Sequence, residues 1–211
     1  MGNTDLARIY NPQKEVGQYL NDFGCEVFMS IVCMESNDPN SVLLLSSAFM
    51  TQLKDGFENI KYKSRGWLER NRDWTEKFKK QMYRSLNGRE LGTIRIIIVP
   101  VVLANHWFIA VIRPSLYEIK YHDSLNLNQQ HSLWSLQVFM KRILPLQEGA
   151  SWKIWNGGSV AQQDNTSCGA YACINAECVV KGWDTKSTWL GSCDREVRKY
   201  VSAKIIDYSL K

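Results

Sequence analysis

The chain lacks an uninterrupted apolar run long enough to span a bilayer. Its richest stretch, Ile94 to Ile112, is broken by Arg95, Pro100, Asn105 and His106, whereas a spanning helix needs about 20 consecutive apolar residues. It lacks a basic-then-apolar leader, because Met1 to Gln13 is polar. No internal repeat, low-complexity tract or Pro/Gly/Ser-rich linker divides it. No cysteine pair is matched by a second pair at the short spacing of a zinc site, although Cys168 and Cys173 come near. Six cysteines without a secretory leader read as reduced thiols rather than a disulfide framework. These absences predict a soluble protein of the cytoplasm or nucleus, without metal or cofactor. An effector delivered into another cell would have the same texture.

What is present fits one catalytic-sized domain over residues 1–211. An apolar fraction of 45% with 22% charged residues is ordinary for a globular chain. At this length roughly 70% or more of the unfolded surface is buried on folding, so no staple is required. The net charge of +5 is mild and does not call for nucleic acid. It is uneven, however. Residues 61–89 hold ten Lys/Arg against three Asp/Glu, either a solvated helix face or a docking surface.

Tyr19 to Cys33 reads as an amphipathic helix with Asp22 as its cap. Ser46-Ser47 lead into a short helix around Ala48 to Leu53. The β-branched run from Ile94 to Val102 predicts a strand buried on both faces, and Trp107 to Ile112 a second. Leu116 to Asp123 alternates, with Tyr117, Ile119, Tyr121 and Asp123 on one face. A polar stretch with helical spacing runs to Leu144, and Trp152 to Trp155 reads as a short strand. A helix from Cys168 to Lys181 closes at Gly182. Strands and helices segregate rather than alternate, which indicates an α+β fold with a mixed sheet flanked by helices.

Two juxtapositions carry chemistry. Arg113-Pro114-Ser115-Leu116 is a turn signal, and a turn centred between Pro114 and Ser115 sets His106 opposite Asp123. A carboxylate facing an imidazole holds its N–H. His122 points to the other strand face and His131 lies in a polar stretch, so His106 is the candidate base. The second juxtaposition is Gln162 to Ser167, a polar turn that delivers Cys168 to a helix N-terminus, with Ser167 as the expected cap. There the helix dipole favours an anionic sulfur, and a histidine base is the usual activator of such a nucleophile. A lone cysteine before a helix is more often a small buried hydrophobe, the reading given to Cys25, Cys33, Cys173, Cys178 and Cys193.

Four segments, in order, resemble the ubiquitin-like-protein-specific cysteine proteases that cleave SUMO and the Nedd-type modifier. They are Tyr19-Leu20-Asn21-Asp22, His106-Trp107, Tyr121-His122-Asp123-Ser124, and Gln162 through Cys168-Gly169 (QQDNTSCG). The resemblance implies a papain-like fold in permuted order, with Cys168 attacking the carbonyl after a modifier's Gly-Gly tail. It also implies His106 as base, Asp123 as its orienter, Gln162 as an oxyanion donor, and Trp107 with Tyr19 clamping the tail. Its partners would be a ubiquitin-like modifier and its conjugates; apart from the resemblance, the chain is expected to be a monomer. Two departures stand out: Ser167 where the family usually has Asp, and Tyr19 where it has Trp. Acetyl transfer by the same Cys/His chemistry is the alternative within the wider clan. A nucleic-acid-binding module on residues 61–89 is the alternative from a different class.

Overall fold

The β-branched run becomes the spine of a five-stranded sheet. The computed structural model describes residues 22–61, 72–144, 146–187 and 193–210. Tyr19 therefore lies outside the described residues, as does the 62–71 part of the basic segment. The strands are β1 (Val42–Leu44), β2 (Ile96–Leu103), β3 (His106–Arg113), β4 (Glu118–His122) and β5 (Lys153–Asn156). They lie side by side in chain order. The three central strands are antiparallel, and β1 and β5 join the two sides in parallel. Among the described residues six helices cover the faces: α1 (Asp22–Met34), α2 (Ser47–Lys61), α3 (Arg72–Leu86), α4 (Trp134–Ile143), α5 (Cys168–Lys181) and α6 (Asp194–Ser209). The fold is α+β, as the segregated pattern predicts.

Because alternate strand residues point to opposite faces, the sheet divides the interior into two cores. Phe108, Ala110 and Ile112 of β3 face one, packed with α2, α3 and α4. Phe49, Phe78 and Phe139 meet there edge-on, with ring centroids 5.7–6.4 Å apart, the arrangement that aromatic quadrupoles favour. Trp107, Ile109 and Val111 face the other core, with α1, α5 and α6. Helix α5 lies deepest. Every residue from Cys168 to Val179 is buried, so the helix has no solvent face.

The hairpin register differs from the sequence expectation. Arg113 pairs with Glu118 and Ile109 with His122, because Pro114–Leu116 forms a 3-10 turn and Tyr117 adopts a left-handed conformation (φ 50°, ψ 41°). The four-residue turn moves the centre by one position and the pairing by two. Parity survives, so Asp123 stays on the His106 face, but beside Phe108 rather than directly opposite His106. One other expectation is corrected. Helix α2 runs on to Lys61 instead of stopping near Leu53, because Leu53 and Phe57 continue its buried stripe. Helix α6 had no counterpart in the sequence reading.

Candidate active site

Three elements converge at one end of the sheet. Strand β3 begins at His106, immediately after a two-residue turn in which Ala104 and Asn105 both have positive φ (49° and 63°). That conformation matches the twist of the flanking strands. Strand β4 ends at His122 and delivers Asp123. Helix α5 opens with Cys168, in the apolar core on the other sheet face.

His106 Nε2 donates to Asp123 Oδ1 across 2.7 Å. The side chain reaches diagonally along the hairpin and stacks on Phe108, with centroids 6.2 Å apart. Asp123 is buried and accepts two further bonds, from the Leu125 N–H at 2.8 Å and from Gln129 Nε2 at 2.7 Å. Burial alone would raise its pKa, but the bonds from His106, Gln129 and Leu125 hold the carboxyl below its ordinary value. For His106, burial works against the charged form, yet hydrogen bonds to Asp123 and then to Cys168 raise it to about 9. Nε2 is committed to the carboxylate, which leaves Nδ1 for the thiol. The carboxylate thus fixes the ring's orientation, and the Cys168 sulfur is near enough to add to the rise.

The expected cap is corrected. Ser167 makes no capping bond to the helix; its hydroxyl donates instead to Asp164 Oδ2 at 2.7 Å. Asp164 also accepts the N–H groups of Thr166 and Ser167, at 3.0 and 2.8 Å. These bonds outweigh the opposing effect of burial and keep its pKa low. A carboxylate three residues before the expected place therefore organises the turn. The first N–H groups of α5 have no intrahelical acceptor, as at any helix start, and the Ser167 hydroxyl does not cap them.

Gln162 is buried, its backbone N–H donating to Ser124 O at 3.1 Å. Its Nε2 donates to Asp164 O at 2.6 Å, and its Oε1 accepts from Ser124 Oγ at 2.6 Å. Gln163 is exposed, and its N–H bonds Asp194 of α6 at 3.0–3.1 Å. Asp194 also accepts the Tyr171 hydroxyl at 2.8 Å, while Arg198 reaches Thr166. The loop before Cys168 is thereby tied to α6. Trp107 is 4% exposed, in the same apolar cluster as Cys168.

The remaining candidates fall as follows. His122 is buried on the other strand face and bonds Gly158 O at 2.7 Å; burial lowers its pKa. His131 is exposed. All six cysteines are free, with Cys25, Cys173 and Cys178 fully buried, but Cys193 is exposed, so it is not a packed thiol. Gln129, Asp164, Asp194 and Ser124 were not singled out from sequence. Ser124 alone carried a signal, as the residue following the orienting carboxylate. Among the described residues no cluster of His, Cys, Asp and Glu could hold a metal ion, and no helix is long and apolar enough to cross a membrane.

The profile of the Ulp1 protease family, C-terminal catalytic domain, matches residues 18–208. The chain belongs to the Ulp1 protease family. It is a cysteine peptidase. Its fold is similar to that of the yeast Ulp1 protease domain solved in complex with Smt3, the yeast ortholog of SUMO. That match has 19% identity, covers 99% of this chain and 83% of that one, and has a TM-score of 0.68. The Ulp1-like SUMO protease catalytic domain of Chaetomium thermophilum matches with a TM-score of 0.69 at 17% identity, over 97% of this chain and 88% of that one. The Xanthomonas campestris effector XopD, solved bound to ubiquitin, matches with a TM-score of 0.54 at 13% identity, over 94% and 96%.

Proposed function

We propose that residues 1–211 form one catalytic domain that cleaves the peptide or isopeptide bond after the C-terminal Gly-Gly of a SUMO-like modifier, with Cys168 as nucleophile. The observation that carries this reading is the 2.7 Å bond from His106 to Asp123, on a ring whose pKa the neighbouring Cys168 also raises. The ring carries the proton on Nδ1, as its pKa of about 9 favours, and in the first step the Cys168 sulfur bonds the carbonyl carbon as the thiolate. The oxyanion so formed is met by the Cys168 N–H and by Gln162 Nε2. Collapse breaks the C–N bond, and the departing amine takes the proton from His106. Water, deprotonated by the same imidazole, then releases the modifier's carboxylate from the thioester. Trp107 would flank the tail, so that only a slim pair of glycines passes beside it.

The test is a panel of SUMO, the Nedd-type modifier and ubiquitin, each carrying a C-terminal electrophile. The SUMO probe should form a covalent adduct with the wild-type protein and none with Cys168→Ala. Adduct formation at Cys173 or Cys178 would overturn the site assignment. Preferential reaction with the Nedd-type modifier or with ubiquitin would overturn the choice of SUMO.

A further inference from the structure

We infer that Ser124 is a positioning residue for the oxyanion hole, clamping the Gln162 amide in the orientation that the Asp164 carbonyl selects. This rests on the reading of Gln162 as an oxyanion donor and deepens it. An amide side chain offers two donors at one end and an acceptor at the other, and only the donor end stabilises an oxyanion. Turned over, Gln162 would aim a lone pair at the developing negative charge.

Two neighbours fix the orientation. The Asp164 carbonyl, 2.6 Å from one end of the amide, can only accept, so that end is Nε2. The other end is then Oε1, which takes the Ser124 hydroxyl proton at 2.6 Å. Nε2 carries a second hydrogen beyond the one given to Asp164, and the reading of Gln162 as a donor assigns that hydrogen to the oxyanion. Ser124 holds the same residue twice, since its carbonyl also accepts the Gln162 N–H at 3.1 Å. Ser124 and Gln162 are 2% and 8% exposed, which leaves little room for water to replace the hydroxyl. Ser124 directly follows Asp123. The carboxylate that orients the base and the hydroxyl that orients the oxyanion donor are therefore consecutive residues at the end of β4. Both halves of the catalytic apparatus take their alignment from one strand terminus.

The experiment is a double-mutant cycle on Ser124→Ala and Gln162→Ala, read by kcat and KM on a modifier–fluorophore substrate. Losing an oxyanion donor costs about 10²–10³ in kcat, so Gln162→Ala should fall by that factor. Ser124→Ala should lose at least about tenfold in kcat with KM unchanged. In the Gln162→Ala background the serine change should add less than about twofold, because its route of action is gone. Alkylation of Cys168 by iodoacetamide needs His106 and Asp123 but no oxyanion hole, so both variants should alkylate at the wild-type rate. That rate also reports an intact fold. If Gln162→Ala leaves kcat unchanged, the donor assignment fails and the inference with it. Three results would defeat the inference about Ser124 alone: an unimpaired Ser124→Ala, losses that multiply in the double variant, or alkylation that falls in parallel with kcat.

Discussion

His106 and His122 are both buried near the end of the same hairpin, and their protonation equilibria are displaced in opposite directions. For His106 the folded-state pKa of about 9 lies above the ordinary 6.5. Its bond to Asp123 therefore contributes stability fully below pH 6.5, and that contribution is lost as pH rises through about 9. For His122 burial depresses the pKa, so the neutral ring is the folded form and stability is lost as pH falls below 6.5. Urea unfolding of wild type and His106→Gln should separate most at pH 6 and converge toward pH 9.5. A gap that stays constant across that range would mean the imidazole is not charged in the fold. The sequence placed His106 and Asp123 on one face because strand parity depends only on alternation. It missed their diagonal offset, which depends on a left-handed Tyr117 that nothing in Arg113-Pro114-Ser115-Leu116 announces.

Among the elements, α6 contributes most to the site for the least sequence signal. Its buried residues Val197, Val201 and Ile205 follow helical spacing, but they form a single narrow stripe among charges, and no chemistry drew the eye to it. By contrast α5 was legible from end to end, because a polar turn precedes Cys168 and Gly182 takes the left-handed closing position (φ 74°). The central strands were legible because a β-branched run buried on both faces has few other fates. Strand β1 was not, since three residues in SVLLLSS are too few to show a period. The first turn of α6 braces the nucleophile loop, so Asp194→Ala should lower kcat about tenfold with KM little changed. It should also cost about 1–3 kcal/mol, by leaving the buried Tyr171 hydroxyl unpaired. Adding Tyr171→Phe should recover stability but not kcat, because the Gln163 N–H is still unheld. Recovery of both would show that the brace serves the fold alone.

Across the whole molecule, charge is distributed unequally. Residues 61–89 carry +7 and the remainder −2. On α3 the exposed basic side chains are Lys77, Lys80 and Arg84, while Lys79 lies 3.7 Å from Glu76. Steering of an acidic modifier by this face should fade as salt shortens the Debye length from about 10 Å at 0.1 M to about 3 Å at 1 M. Lys77→Glu with Lys80→Glu should lower kcat/KM for the modifier at low salt and leave a short fluorogenic peptide unaffected. Equal responses from the two substrates would exclude a docking role. The two cores have a different consequence. His106 and Asp123 stand on the sheet face that packs against α2, α3 and α4, and His106 stacks on Phe108 of that core, whereas Cys168 is rooted in the core beyond the other face. Catalysis therefore demands that two separately packed layers keep ångström registry across the sheet. Helix and strand content does not. On heating, turnover should vanish while the circular dichroism is still native, which makes inactivation temperature a finer gauge of this fold's integrity than its melting point.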